Sequence, residues 1–407
     1  MSKTVKLKRL LAVPVTDGPH ETPELVDEGI PFMSAESVKN GYLDFSLRRG
    51  NISKELHTLY SLKAKPQRDD IFMVKSGATT GKVAIVETDE EFSIWSPLAL
   101  IRANRDRLSP RYLYYSLKSD YFQEQVENSW SFGTQQNIGM QVIENLNIFQ
   151  PSLAKQQELA DYLDAKTKTL DKILTAKNHT HTHLSELRQA IISELVYPTG
   201  GRTMSASDQL YRHLASQESG TWGEDPNGIN EVKCLRVAYF DYERLSHIEP
   251  TTVRSITSVH VRNKILQPGD ILIEKSGGGE KTPVGRAIIV GELPEPATYA
   301  NFIDRLRFKD TVLPEYALYL LYAMYTGGVN TKYIKQNTGI QNLDIKHYLM
   351  EPVVIPNVGE QQVIIKQIKT RLQKIDKANS KLSDSIKYLE EYRSSLISNV
   401  VGGKVEV

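Results

Sequence analysis

Two short stretches of this 407-residue chain set cationic and hydroxyl side chains beside glycines, a combination that can grip a phosphate. The first holds Lys75, Ser76, Thr79, Thr80 and Lys82 around Gly77 and Gly81; the second holds Lys275, Ser276, Lys281, Thr282 and Arg286 around Gly277-Gly278-Gly279. Strand-like runs flank both, Asp70 to Lys75 with Val83 to Glu87 and Asp270 to Lys275 with Ala287 to Val290, so each reads as a hairpin turn. A solvent-facing hairpin stabilised by its glycines fits the same residues. Nucleotide hydrolysis does not fit: in the second copy Glu280 stands where a phosphate loop needs glycine before lysine, and in the first Val83 stands where the metal-binding hydroxyl belongs.

Base edges are read by paired donors and acceptors, asparagine and glutamine toward adenine, arginine and lysine toward guanine. Gln135, Gln136 and Asn137 in one part of the chain and Gln341 and Asn342 in another are of the right type. They recur, however, so they point to a shared structural or backbone-contact role. Candidates for base reading are instead Arg48, Arg49, Lys63, Lys65 and Arg68, and Arg254, Arg262 and Lys264, which are not shared. Catalytic signatures are missing. No Asn/Asp-Pro-Pro-aromatic run marks an amino-methyltransferase, and no Gly-x-Gly-x-x-Gly follows a strand. His179 and His183 share a helix face, but without a carboxylate or cysteine beside them they read as a solvated surface and not as a metal site.

Charge narrows the class further. Residues 1–150 carry 18 Lys+Arg against 19 Asp+Glu, and residues 201–355 carry 17 against 18, so neither could hold a polyanion by bulk charge. Any nucleic-acid binding must use local basic loops or a basic partner. Cys234 is the single cysteine, which suits a reducing compartment. No signal-peptide core and no run of about 20 apolar residues is present, so the expectation is a cytoplasmic protein that does not span a membrane.

The elements that must position these residues occur twice. Pro151, Gln156, Gln157, Asp171, Lys172, Leu184, Arg188, Ile192 and Ser193 return, each 205 residues later, as Pro356, Gln361, Gln362, Asp376, Lys377, Leu389, Arg393, Ile397 and Ser398. An ungapped match of that length indicates duplication. Both copies read as long helices, opened after proline and closed by Gly200-Gly201 and Gly402-Gly403. Ile368, Ile375, Leu382, Leu389 and Leu396 recur every seven residues, with Ile364, Ala378 and Tyr392 on the adjoining line. Leu163, Leu170, Leu184 and Ile191 form the matching line, interrupted by Lys177 and flanked by Leu159, Ile173 and Leu187. This is a coiled-coil seam.

Pro-x-x-x-x-Gln-Gln opening each helix, Arg-x-x-Ile/Leu-Ile-Ser closing it, and Gly133-Thr-Gln-Gln-Asn-Ile and Thr338-Gly-Ile-Gln-Asn-Leu ahead of it resemble the specificity subunit of type I restriction–modification systems. Gly220-Thr-Trp-Gly is similar to the opening of a target recognition domain. The resemblance covers nearly the whole chain. It implies an α+β fold of two mixed α/β target recognition domains, residues 1–150 and 201–355. Two helical spacers, 151–200 and 356–407, would pair as an antiparallel coiled coil with pseudo-two-fold symmetry. It further implies a non-catalytic subunit that reads double-stranded DNA, each domain taking half of an asymmetric, interrupted site. Two adenine methyltransferase subunits and motor-nuclease subunits would be its partners. S-adenosylmethionine, ATP and Mg would then belong to those partners. The rival reading is a coiled-coil adaptor whose flanking domains bind proteins.

Overall fold

The computed structural model describes residues 3–132, 136–197, 207–257, 261, 263–337 and 339–405. They fall into two compact units, residues 1–178 with 383–407 and residues 179–382. The long helices run over Leu153–Val196 and Val358–Val401, 44 residues and about 66 Å each, with both ends displaced by the same 205 residues. Each unit therefore contains one of the dissimilar segments, the first half of one long helix and the second half of the other. The start of the second helix is a reciprocal cap: Asn357 Oδ1 accepts from the Glu360 N–H at 3.0 Å, while Glu360 Oε2 accepts from the Asn357 N–H at 3.2 Å.

In the first unit the strand Ile71–Val74 lies between Val83–Ile85 and Leu98–Ile101, antiparallel to both, with Met73 opposite Val83 and Ala99. In the second, Ile271–Glu274 lies between Ala287–Ile289 and Ile303–Phe308, with Ile273 opposite Ala287 and Asp304. These central strands are buried on both faces, which explains their unbroken apolar runs. Alternate residues serve different cores. Ile71 and Met73 pack with the helix Pro110–Lys118 and the long helices, whereas Phe72 and Val74 pack with Met33, Phe92 and Ile94. Ile271 and Ile273 pack against the helix Pro314–Thr326 in the same way, and Leu272 packs with Leu235 and Tyr299. The α+β class and the two-part frame expected from the sequence are thus present.

Within each unit the long helices bury a common seam. Leu163 and Leu170 pack with Leu396, Ile397 and Val400, partly covered by Leu389. Ile192 and Val196, flanked by half-buried Leu184 and Ile191, pack with Ile365, Ile368, Leu372 and Ile375. Leu382 is half-buried. In the second unit Arg188 meets Asp376 at 3.2 Å and Glu194 meets Arg371 at 3.6 Å, so numbers rise on one helix as they fall on the other: the pairing is antiparallel. The adjoining line starts where hydrophobicity suggested, with Leu159 buried and Ile364 half-buried, but further along each helix it lies one residue later. It runs through Ala160, Thr167, Leu174, His181 and Arg188, and through Ile365, Leu372, Asn379, Ile386, Arg393 and Val400, which are buried or half-buried, while Ile173, Leu187, Ala378 and Tyr392 are exposed. The line carries Thr, His, Asn and Arg, so a search for apolar side chains alone shifts to its neighbour.

Candidate nucleic-acid interface

The repeated residues build a frame around both hairpin turns. Gln156 is fully buried: its Oε1 accepts from the Ser109 N–H at 2.9 Å, and its Nε2 donates to the carbonyls of Arg107 and Pro151 at 3.1 and 3.0 Å. Gln361 makes the same three bonds, from Leu313 N–H at 2.8 Å and to Thr311 and Pro356 at 3.0 and 2.8 Å. One amide thus ties the loop before the short helix to the strand before the long one. Tyr112 and Tyr316 repeat the device, their hydroxyls donating to the carbonyls of Phe149 and Val354. Asp70 receives Arg102 at 2.7 Å, and Asp270 receives Arg307 at 2.7 Å, each carboxylate nearly fully buried at the mouth of its hairpin. The sequence reading missed both arginines, although they too stand 205 residues apart.

The turns themselves are braced by the glutamine–asparagine segments. Gly77 N–H donates to the Gln136 carbonyl at 3.0 Å, Ile138 N–H to Lys75, and Ser76 bridges to Asn137. In the second unit Ser276 and Gly277 pair with Asn342 and Gln341, and Leu343 N–H donates to Lys275. Gln341 is buried, and its Oε1 accepts from the Val284 N–H at 3.3 Å. Gln135 and Arg262 lie outside the described residues. The turn lysines are also restrained. Lys75 and Lys63 converge on fully buried Asp17, whose own burial would raise its pKa but whose bonds from the two lysines hold it below the ordinary value. Lys275 meets Asp304 at 3.2 Å and Ser219 Oγ at 2.9 Å. Since Ala99 and Asp304 hold the same register position, and Asp17 faces Ala99 as Ser219 faces Asp304, the counter-charge has moved to the neighbouring strand between the two units.

Residues 5–180 match the family model of the type I restriction modification DNA specificity domain. Over 405 residues the chain is 20% identical to the EcoKI specificity subunit, a type I restriction enzyme component of Escherichia coli (strain K12), covering 94% of this chain and 83% of that one. Over 404 residues it is 22% identical to the StySPI specificity subunit of Salmonella potsdam, with the same shares covered. A solved chain from a study of complex assembly and conformational transition of the type I R-M system superposes with a TM-score of 0.65, covering 98% of this chain and 97% of its own at 14% identity. The chain is similar to type I specificity subunits along nearly its whole length, and residues 5–180 match their DNA specificity domain.

In this chain the unshared basic residues occupy unequal environments. Arg48 and Arg49 are exposed; Arg48 donates to the Phe45 carbonyl at 3.2 Å, and the Arg49 guanidinium stacks 3.8 Å from the Trp95 ring. Lys65 and Arg68 sit at the surface beside Glu91 and Asp89. Arg254 is buried: it bonds Asp225 and the carbonyls of Trp222 and Gly223, and lies 4.4 Å from the Trp222 ring. Its donors hold a loop together. Lys264 is half-buried, Lys82, Lys281 and Thr282 are exposed, and Thr79 and Thr80 are half-buried, the Thr80 hydroxyl donating to Gly77 at 2.7 Å. Arg286 is turned back onto buried Glu274 at 2.7 Å. No helix among the described residues is long and apolar enough to cross a membrane.

Proposed function

We propose that this chain selects the DNA sequence on which a type I methyltransferase and its motor-nuclease partners act. The segments 1–150 and 201–355 each read half of an asymmetric, interrupted site in double-stranded DNA, and the spacers 151–200 and 356–407 fix the interval and dock two adenine methyltransferase subunits. S-adenosylmethionine, ATP and Mg are held by the partners. The observation that carries this reading is the contrast between a shared frame and unshared surfaces. The Gln156 and Gln361 ties and the Asp70–Arg102 and Asp270–Arg307 pairs recur, while Arg49 on Trp95 has its nearest analogue in a buried Arg254 on Trp222. Equal frames with unequal surfaces suit two readers of different half-sites.

In this reading the hairpin turns meet phosphates through Ser76, Thr79, Thr80 and Lys82, and through Ser276, Lys281 and Thr282, while exposed Arg48, Arg49, Lys65 and Arg68 are the nearest to base edges in the first segment. The test is reconstitution. Purified chain plus the cognate methyltransferase should methylate adenine at one bipartite motif in genomic DNA, mapped by single-molecule sequencing, and the chain alone should neither bind S-adenosylmethionine nor transfer a methyl group. Protein capture without salt-dependent DNA binding in the assembled complex would replace this reading with an adaptor.

A further inference from the structure

The first unit contains a cleft of about 410 Å3 lined by Lys39, Gly41, Lys82, Lys118 and Arg393, with no carboxylate in its lining. Lys39 and Lys82 reach it from the surface, whereas Lys118 and Arg393 are half-buried in its wall. Arg393 is answered by Asp171 at 3.0 Å. Lys118 has no such partner among the described residues: its Nζ donates to the Tyr114 hydroxyl at 3.0 Å and lies 4.8 Å from the centre of that ring. Burial first, and the neighbouring Arg393 charge second, push its amine down to about 7.

The matching place in the second unit is built from different residues. Ile85 N–H donates to the Gly41 carbonyl at 3.1 Å, as Ile289 N–H does to Leu245 at 3.0 Å, which makes Leu245 the counterpart of Gly41. Gly41 has φ +89, and a Cβ there would stand 2.1 Å from the Tyr114 hydroxyl and 3.2 Å from Lys118 Nζ. Leu245 accepts φ 54 and buries its side chain in the core. Aligned on Pro110 and Pro314, Lys118 corresponds to Tyr322 and Tyr114 to Leu318. Arg286, the counterpart of Lys82, is neutralised by Glu274, where the first unit has Val74. A purely structural device of the duplicated frame would appear in both copies. Only the first brings four cations together, with Asp171, which pairs with Arg393, as the one carboxylate acting on them.

We propose that this cleft binds a phosphate group, supplied either by the backbone of a DNA duplex or by a free phosphate-bearing ligand. The anion sits between Lys39, Lys82 and Lys118, and provides the negative charge that Lys118 lacks. The site shares Lys82 and Thr80 with the hairpin turn proposed above to meet DNA phosphate, and Lys39 and Lys118 belong to the cleft alone. The experiment uses the full-length chain and inorganic phosphate as the probe, by calorimetric titration, with Lys118→Met and Lys39→Gln as variants checked for unchanged thermal unfolding. Saturable phosphate binding weakened about tenfold or more by Lys118→Met, and measurably by Lys39→Gln, supports the site. Duplex affinity in the assembled methyltransferase complex then identifies the source: a parallel loss for Lys118→Met assigns the phosphate to DNA, and unchanged duplex affinity assigns it to a small ligand. If Lys118→Met does not fold, Lys39→Gln and protection of Lys118 by phosphate against amine acylation, read by mass spectrometry, carry the test. No saturable phosphate binding by the wild-type chain, or binding indifferent to the variants, overturns the proposal. Because the phosphate titration needs no sequence recognition, its failure leaves the reading of bipartite DNA untouched, and failure of that reading leaves the titration interpretable.

Discussion

The residue that best shows how little side chain is needed to lock a large frame is Gln156, with its copy Gln361. Each amide satisfies one buried N–H and two carbonyls from separate segments. Truncation leaves those groups unpaired, and an unpaired buried group costs about 1–3 kcal/mol. Gln361→Ala should therefore lower stability by roughly 2–4 kcal/mol in urea unfolding. Gln156→Ala should do the same, each acting on its own unit. Asp17 makes a prediction about acid. Its folded pKa is lowered, because the bonds from Lys63 and Lys75 outweigh the opposing effect of burial. The folded chain thus binds this proton more weakly than the unfolded chain. The stabilisation is complete above the ordinary carboxyl value of about 3.9 and fades as pH falls through the lowered folded value. Asp17→Asn should lose stability at neutral pH and flatten the stability profile below about pH 4. An unchanged profile in acid-titration unfolding would show that Asp17 is not the group responsible.

At the scale of elements, the long helices repay the duplication with reciprocal contacts. Arg188 pairs with Asp376 and Arg393 with Asp171, and each member of one pair is the 205-residue counterpart of a member of the other. Both aspartates are about half exposed, 53% and 41%, so solvent screens these pairs and each is worth no more than about 1 kcal/mol. In a double-mutant cycle Arg188→Asp should be rescued in large part by Asp376→Arg, and the coupling should shrink in high salt. Leu396 is a stronger test because it is buried against Leu163 and Leu170. Leu396→Asp removes about 1.5–3 kcal/mol of apolar burial and adds the larger cost of an unpaired carboxylate in that core. Unfolding of the first unit and loss of co-purification with the methyltransferase should appear together. Intact assembly would place the working seam elsewhere.

At the scale of the whole molecule, unequal surfaces on equal frames predict unequal half-sites. Replacing residues 1–150 with the first segment of another type I specificity subunit should change one half of the methylated motif and leave the other. With the helices carrying the interval as proposed, inserting one helical turn within residues 170–185 should lengthen the unread gap without altering either half. Methylation mapping of genomic DNA reads both outcomes, and a continuous palindromic motif would contradict them.

Composition and spacing alone determined the duplication, the two long helices with their shared 205-residue displacement, and the hairpins. These are local or repetitive signals: heptads, prolines before helices and glycines at turns need no knowledge of what lies across the core. Tertiary structure decided what each repeated residue does. Gln156 reads as a helix-opening motif until its partners, up to 49 residues away, become visible. Arg102 and Arg307 are ordinary strand-end arginines until buried Asp70 and Asp270 are found beside them. Beyond Leu159 and Ile364 the second seam line lies one residue from the apolar one because it carries polar side chains whose burial depends on the facing helix. Arg254 and Arg49, alike in sequence as unshared basic residues and both set on a tryptophan by the fold, differ because one is enclosed by a loop and the other is open to solvent. Burial and pairing arise from chain segments far apart in sequence, so they are settled only when the fold brings those segments together.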